Sequence, residues 1–422
     1  MMELLKNILN ENKEISFYKI IEENKTSKQL YFIHGLLETS RTVATKEYNV
    51  TIYLLHDNML GESSFKVFSS NTKEEINEKI NDAILNSKEV NNEIYSLESN
   101  INSSDEIESN FKNYSLNELA ELISNASLNH MKNMHATINA LEIFVNKTIR
   151  TIYTSTKINR AETSYDAFIE AIPTWTIDKE SVEIYKAYNF SKLDLDDITN
   201  KINDALKEVE YRFKALKPDF EIKCPLALRS LEQRDLFNEL VDQLNYQTVY
   251  NKGNIYKLGD KLQDNINNLS ITMSSYIEGG ASNHIFDNDG SSLKTIDIIK
   301  DGKVINYYGG IRYSTYLNMK NTGELSNIVL NCGNLSINEL PNEYFELVSL
   351  SGLQVSIYSD YVGGEIRLGY YHKDGNIIPV TGVSFQVSLK ALLNSLMLTK
   401  EKEVYENYEG PKLILFKDAK VA

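Results

Sequence analysis

Cysteine is nearly absent: Cys224 and Cys332 are the only two in 422 residues. Two cysteines build no disulfide framework, and the expectation is a pair of buried, reduced thiols. Proline is scarce as well, six in all, and no Gly/Ser-rich or low-complexity tract occurs, which argues against extended linkers. No window approaches the ~20 apolar residues of a membrane helix. The opening stretch MMELLKNILNENKEISF lacks the apolar centre of a secretory signal and reads as a helix. A soluble, cytoplasmic protein is the expectation. With a net charge of −15 and no Lys/Arg run, neither nucleic acid nor an anionic membrane is an expected partner, because both repel an acidic surface.

Several catalytic signatures are missing too. There is no G-x-S-x-G elbow, and Cys224-Pro225 has no nucleophile signature around it. Gly279-Gly280 and Gly309-Gly310 are not phosphate loops, since no Lys-Ser/Thr opens a helix after them, and no G-x-G-x-x-G occurs. Of six histidines, His130 and His135 stand five apart with no third ligand fixed beside them. His34 and His56 fall on neighbouring candidate strands and could meet across a sheet, while His284 and His372 are isolated. Ordinary structural placement is expected for all six. Tyr307, Tyr308, Tyr313 and Tyr316 cluster in sequence; they either line a peptide groove or fill a sheet face with the hydroxyls in water.

What is present is an ordinary globular balance of 42% hydrophobic and 24% charged residues, enough for two or three domains. Residues 2–25 read as a helix, followed by strand-like alternation at Gln29–Thr42, Tyr48–Asn58 and Phe65–Phe68. Asn71–Asn86 reads as a helix with Thr72 and Glu75 in a capping box and Ile76, Ile80, Ala83 and Ile84 on one face. Glu89–Asn113 is polar and reads as a loop. Ser115–Asn133 opens another helix with Ser115 and Glu118 in the capping relation. Thr137–Tyr153, Lys157–Ala171 and Thr174–Tyr188 read as strands. Leu193–Ala215 is an amphipathic helix striped by Ile198, Ile202, Ala205, Leu206, Val209 and Phe213. After Lys217-Pro218 comes a helix at Leu231–Gln243, then Phe286–Gly290 and short strands with Gly- or Asn-rich turns, with one late helix at Ser388–Thr399. The expected fold is α+β: an N-terminal α/β domain over 1–88, a middle segment over 89–216, and a large C-terminal antiparallel β-rich domain over 217–422.

Four segments carry a family resemblance in the right order: His284–Ser314 (HIFDNDGSSLKTIDIIKDGKVINYYGGIRYS), Asn321–Leu340, Tyr358–Glu401 and the tail Gly410–Ala422. They resemble the TldD/PmbA family, once called modulators of DNA gyrase. Lys46–Asn86 and Ile149–Ala215 fit the same family more loosely. Asn288 replaces an acidic residue of the family's DDEG run.

The resemblance implies two kinds of member. The TldD kind carries a His-Glu-x-x-x-His helix and a late Cys that bind zinc; the TldE (PmbA) kind lacks them and pairs with the first. In LFNELVDQLNY (Leu236–Tyr246) the motif falls on Asn238, Glu239 and Gln243, and the tail has no Cys-Gly. Carboxamides are poor zinc ligands. Residues five apart on an ideal helix are also ~140° apart, and without a metal-bound water Glu239 has nothing to deprotonate. The resemblance therefore implies a TldE-like subunit with no metal or cofactor of its own. Its partner would be a zinc-bearing TldD-like chain in a heterodimer, or a second copy in a homodimer, and the complex would act on unfolded peptide. Two alternatives stay open: a self-sufficient metallopeptidase, its site built on His130 and His135, and a non-enzymatic binding or gyrase-modulating protein.

Overall fold

The computed structural model describes residues 1–417 and 419–421; Asp418 and Ala422, in the tail segment singled out above, lie outside the described residues. Helix α1 (Met2–Glu11) buries Leu5, Ile8 and Leu9. The helix expected over 2–25 stops there, because Asn12 turns extended and its side chain accepts from the Glu14 N–H. The aromatic and β-branched residues that follow suit a pleated surface, and Phe17–Ile33 is strand β1. It pairs along its length with β2 (Leu36–His56), and β2 pairs over 47–56 with β3 (Met59–Phe68). His34 sits in the β1–β2 turn and His56 at the far end of β2, so the two do not meet across the sheet as the spacing had allowed.

Helix α2 (Lys73–Lys88) starts with the Thr72–Glu75 capping box and buries Ile76, Ile80, Ala83 and Ile84, as the pattern predicts. The expected loop 89–113 contains strand β4 (Asn102–Glu106) and a 3-10 turn at Asn110–Asn113. Then come α3 (Leu116–Leu128), capped by Ser115 and Glu118, β5 (Ala136–Thr154), β6 (Asn159–Ile177), β7 (Glu180–Glu183), β8 (Lys186–Phe190) and α4 (Leu195–Lys214). Where two strands were expected, β6 runs unbroken through Pro173. That proline lies at the register shift of β5 between Ile138 and Ala140, and a bulge is one of the few places a sheet accepts proline. These strands form one sheet in the order β3-β2-β1-β5-β6-β4, with β7 and β8 also on β6, so it draws on both sides of residue 88. Apolar residues of α1 and α2 pack on the β1–β3 end, and those of α3 and α4 on the β5–β6 end around Trp175.

The second half is built from β9 (Leu226–Leu228), α5 (Ser230–Asp242), α6 (Tyr246–Tyr250), β10 (Ile271–Ser274), β11 (Ile296–Lys300), β12 (Lys303–Val304), α7 (Ile311–Tyr316), β13 (Asn327–Leu330), β14 (Glu343–Leu350), β15 (Gln354–Ser356), β16 (Tyr361–Lys373) and short strands to residue 421. They make two largely antiparallel sheets over one core that includes Leu236, Phe237, Leu240 and Val241 of α5. The architecture is the α+β arrangement expected, with a β-rich C-terminal region. The late helix covers only Leu389–Asn394, because Met397 and Leu398 leave it to pair with Leu415 and Ile414. Among the described residues no helix is long and apolar enough to cross a membrane.

A buried charge network joins the halves. Arg229 donates to Glu208 of α4 at 2.6 Å and to Glu346 of β14 at 2.7 Å. Lys186 of β8 also pairs with Glu208. His372 of β16 meets the other Glu346 oxygen at 3.0 Å and stacks on Tyr344. Burial alone would raise the Glu346 pKa, but Arg229 and His372 more than reverse it and hold the carboxyl at about 2. Glu232, in the first turn of α5, is equally buried with no such pairing, and burial pushes it up to about 7.

The two carboxylates predict opposite behaviour. Arg229→Met removes the guanidinium shared by Glu208 and Glu346, leaving Lys186 and His372 as their remaining partners, and is expected to cost about 3 kcal/mol in urea unfolding at pH 7. Glu232 has a folded pKa above its unfolded one. It therefore favours folding below the ordinary Glu range, and that favour is lost as pH rises towards 7. Glu232→Gln should stabilise the protein at pH 8 by on the order of 3 kcal/mol and give no gain at pH 4. Equal effects at both pH values would contradict the assignment.

Candidate functional site

Helix α5 buries 236, 237, 240 and 241, leaving Asn238 and Glu239 on its exposed side. Gln243, at its C-terminal end, turns inward: it is buried, and its Oε1 accepts from the Ile255 N–H at 2.9 Å. The three positions that resemblance places on a zinc motif thus do not converge. Asn238 faces outward, Gln243 is committed to the backbone, and neither carboxamide is the imidazole or thiolate that zinc selects. These residues do not fit a zinc ion.

The other sequence candidates are also tied elsewhere. His130 contacts the Met131 carbonyl and His135 the Thr176 carbonyl, each at 3.1 Å, in the loop before β5. Burial, with Glu343 nearby, pushes the Cys224 thiol up to about 11, and burial also raises Cys332, so neither is an activated thiol. Among the described residues no group of three or more His, Cys, Asp or Glu side chains is placed to hold a metal ion.

What the structure does bring together is the junction of the two halves. Glu162 of β6, 1% exposed, receives Arg150 at 2.9 Å, His284 at 2.7 Å and the Ile285 N–H at 2.8 Å. Burial would raise its pKa, yet His284, the backbone donor and Arg150 lower it below the ordinary range. Arg150 also donates to the Phe286 carbonyl and to Asn288 Oδ1, and Arg160 to the Gly290 carbonyl and Ser292. The two guanidinium groups lie 4.9 and 4.7 Å from the centre of the Phe286 ring. Residues 286–290, expected in a strand-rich stretch, are a turn closed by Asp287, whose carboxylate accepts from the N–H groups of Asp289, Ser291 and Glu324. Gly290 is required there: its φ is +79°, and a Cβ would come within 2.9 Å of Ile158.

Anchoring this turn creates a cleft between the N-terminal sheet and α7. Lys19 of β1 pairs with Asp289 at 2.6 Å, and Arg312 of α7 with Glu62 of β3 at 2.7 Å. Thr51, Tyr53, Ser64, Tyr95, Tyr313 and Glu324 complete the wall of a cavity of about 230 Å³. Residues 89–101, read as loop in the sequence, cross the mouth: Asn92 accepts from Arg312 at 2.6 Å, and Tyr95 lies edge-on to Tyr316. Burial raises the Tyr53 and Tyr95 hydroxyls, helped by Asp289 and Glu62, and keeps both protonated. Burial, with Asp289 beside it, pushes Asp287 up to about 6. Of the four clustered tyrosines, Tyr307 and Tyr308 are buried in the core, and only Tyr313 and Tyr316 reach this region. His284, Arg150, Glu162 and the cleft carried no local signal. Arg150 and Glu162 stand 12 residues apart on adjacent strands, but the contacts that tie them to His284, Ile285, Phe286 and Asn288 each span more than 120 residues, beyond any spacing rule.

Residues 222–422 match the family described as PmbA/TldA metallopeptidase C-terminal domain. No curated protein matches the chain. Among solved structures, TldE from Thermococcus kodakarensis superposes with a TM-score of 0.79 at 14% identity, over 99% of this chain and 100% of its own. A proposed modulator of a DNA gyrase from Thermotoga maritima gives 0.77 at 16% identity, over 100% of both chains. A second proposed gyrase modulator, from Bacteroides thetaiotaomicron, gives 0.79 at 14% identity, over 100% of this chain and 98% of that one. At such identities the structures speak for the fold, and the C-terminal match supplies the kinship. The C-terminal region, residues 222–422, thus carries the PmbA/TldA metallopeptidase C-terminal domain, and the whole chain has the fold of TldE and of the two proposed gyrase modulators.

Proposed function

We propose that this chain is a TldE-like subunit, without a metal of its own, of a metallopeptidase complex that cleaves unfolded peptides. The observation that carries the reading is the state of α5: Asn238 and Glu239 face outward while Gln243 binds the Ile255 N–H, so the helix has nothing with which to hold zinc and activate water. A zinc-bearing TldD-like chain would supply that chemistry, most simply in a heterodimer, with a homodimer as the form in isolation. The cytoplasm, where two unpaired cysteines remain reduced, is the proposed location.

The N-terminal sheet offers a means of engaging extended chain. Strand β3 covers β2 only over residues 47–56, so residues 36–46 of β2 pair with β1 alone and leave an open edge. Leu36 and Leu37, at its outer end, are 70% and 54% exposed. An open edge accepts an added strand through main-chain hydrogen bonds.

Two measurements test the subunit role. Deleting this protein while a His-Glu-x-x-x-His chain is still made should abolish cleavage of unfolded peptide in the lysate, and undiminished cleavage would refute the proposal. The purified chain should hold well under one zinc per polypeptide by elemental analysis; about one, retained through dialysis, would favour the self-sufficient peptidase instead.

A further inference from the structure

We propose that the cleft between β1–β3 and α7 binds a zwitterionic ligand of one or two residues, a free amino acid or dipeptide, with its carboxylate on Arg312 and its ammonium among Asp289, Glu62 and Glu324. The choice of a peptide-derived ligand rests on the peptidase reading; the charge pattern rests on the cleft alone.

The wall holds two cations, Lys19 and Arg312, and three anions, Glu62, Asp289 and Glu324. A purely anionic ligand meets three carboxylates, and a purely cationic one gains nothing from Arg312. A ligand bearing both charges a few ångströms apart complements both sets. Arg312 is short of acceptors: Nη1 and Nη2 serve Glu62 and Asn92, but its buried Nε has no partner. A guanidinium in that condition favours a carboxylate, which it grips through more than one N–H. The Tyr53 and Tyr95 hydroxyls, held protonated, are further donors in the same wall. A cavity of about 230 Å³ is too small for a drug-sized molecule, and a junction between two halves of a chain is a common place for a ligand. Glu324 is preset by the Gly310 N–H at 2.7 Å, and Asp289 by Lys19, so the anionic side is rigid before anything enters.

The test is calorimetric titration of the purified full chain with dialanine, N-acetyl-dialanine and dialanine amide. Dialanine should bind, and blocking either end should weaken binding about tenfold or more, the cost of one charge-assisted contact. Arg312→Lys keeps the charge and removes the fork, and should lose at least about tenfold for dialanine while the amide form changes little. If Arg312→Lys lowers the melting temperature, Asp289→Asn serves instead and should weaken the free ammonium form selectively. No heat with dialanine at millimolar concentration, or equal affinity for the blocked forms, overturns the site. The result is independent of the subunit role: a chain that binds dialanine but is dispensable for cleavage keeps the site and loses the role.

Discussion

Glu162 is almost wholly buried, and the junction of the two halves follows from how its charge is met. An isolated carboxylate at that depth would cost several kcal/mol or take up a proton. Here Arg150, His284 and the Ile285 N–H surround it, and the direction of its pKa shift says that they outweigh the burial. Two of the three partners, His284 and Ile285, belong to the segment that leads into the Asp287 turn. Satisfying Glu162 therefore fixes that turn against β5 and β6, which in turn sets Asp289 beside Lys19 and Asp287 under the Glu324 N–H. Arg150 is shared between Glu162, the Phe286 carbonyl and Asn288, so the side chain that neutralises the carboxylate also locates the turn. Asn288 belongs to the same network: a neutral amide oxygen at 2.7 Å from Arg150 leaves the guanidinium's charge available to Glu162.

The geometry of α5 is a second constraint, on the residues at 238 and 243. Positions 238 and 243 point in different directions, one into solvent and one into the fold. Placing a histidine at 243 would put a ring where a carboxamide now satisfies the Ile255 N–H, and would take that acceptor away. Position 243 thus has a structural use in this chain. Gln233 shows the same trend, donating to the Leu228 carbonyl and accepting from Tyr408.

What could be read from the sequence was local. The capping boxes at Thr72 and Ser115 lie within four residues, the α4 stripe repeats every three or four, and each proved to be where its pattern put it. The four motif segments identified the C-terminal half. Long-range features could not be read in that way. The start of strand β1 is not separable from helix α1 by pattern, because Met2–Glu11 and the charged residues after Phe17 share a polar-apolar rhythm that only pairing with β2 and β5 resolves. The polar stretch 89–113 has few apolar anchors, yet Leu60 pairs with Asn92 and Tyr95 closes the cleft, contacts that compensate for the missing core residues. His284 and His372 looked isolated because each is matched by a glutamate on a neighbouring strand or element far away in sequence.

The cleft and the open edge are two ends of one hairpin. Lys19 and Thr51 face each other at the cleft, and Ile33 and Leu36 at the tip. Fourteen residues of strand separate them along β1, roughly 45 Å at the usual rise. A ligand in the cleft and a strand added at the tip would not touch. The connection between them is nonetheless stiff, because β1 is paired on both sides from Lys19 to Ile33 and has no free edge along that length. An arm anchored this way cannot swing independently of the sheet. Any partner that docks on the outer part of β2 is thereby held at a fixed orientation to the Asp287 turn, since both are registered to the same strands β1 and β5. The rigidity that makes the hairpin usable as a docking edge thus has the same source as the closure of the junction: a sheet continuous across residue 88, clamped at its inner end by Glu162.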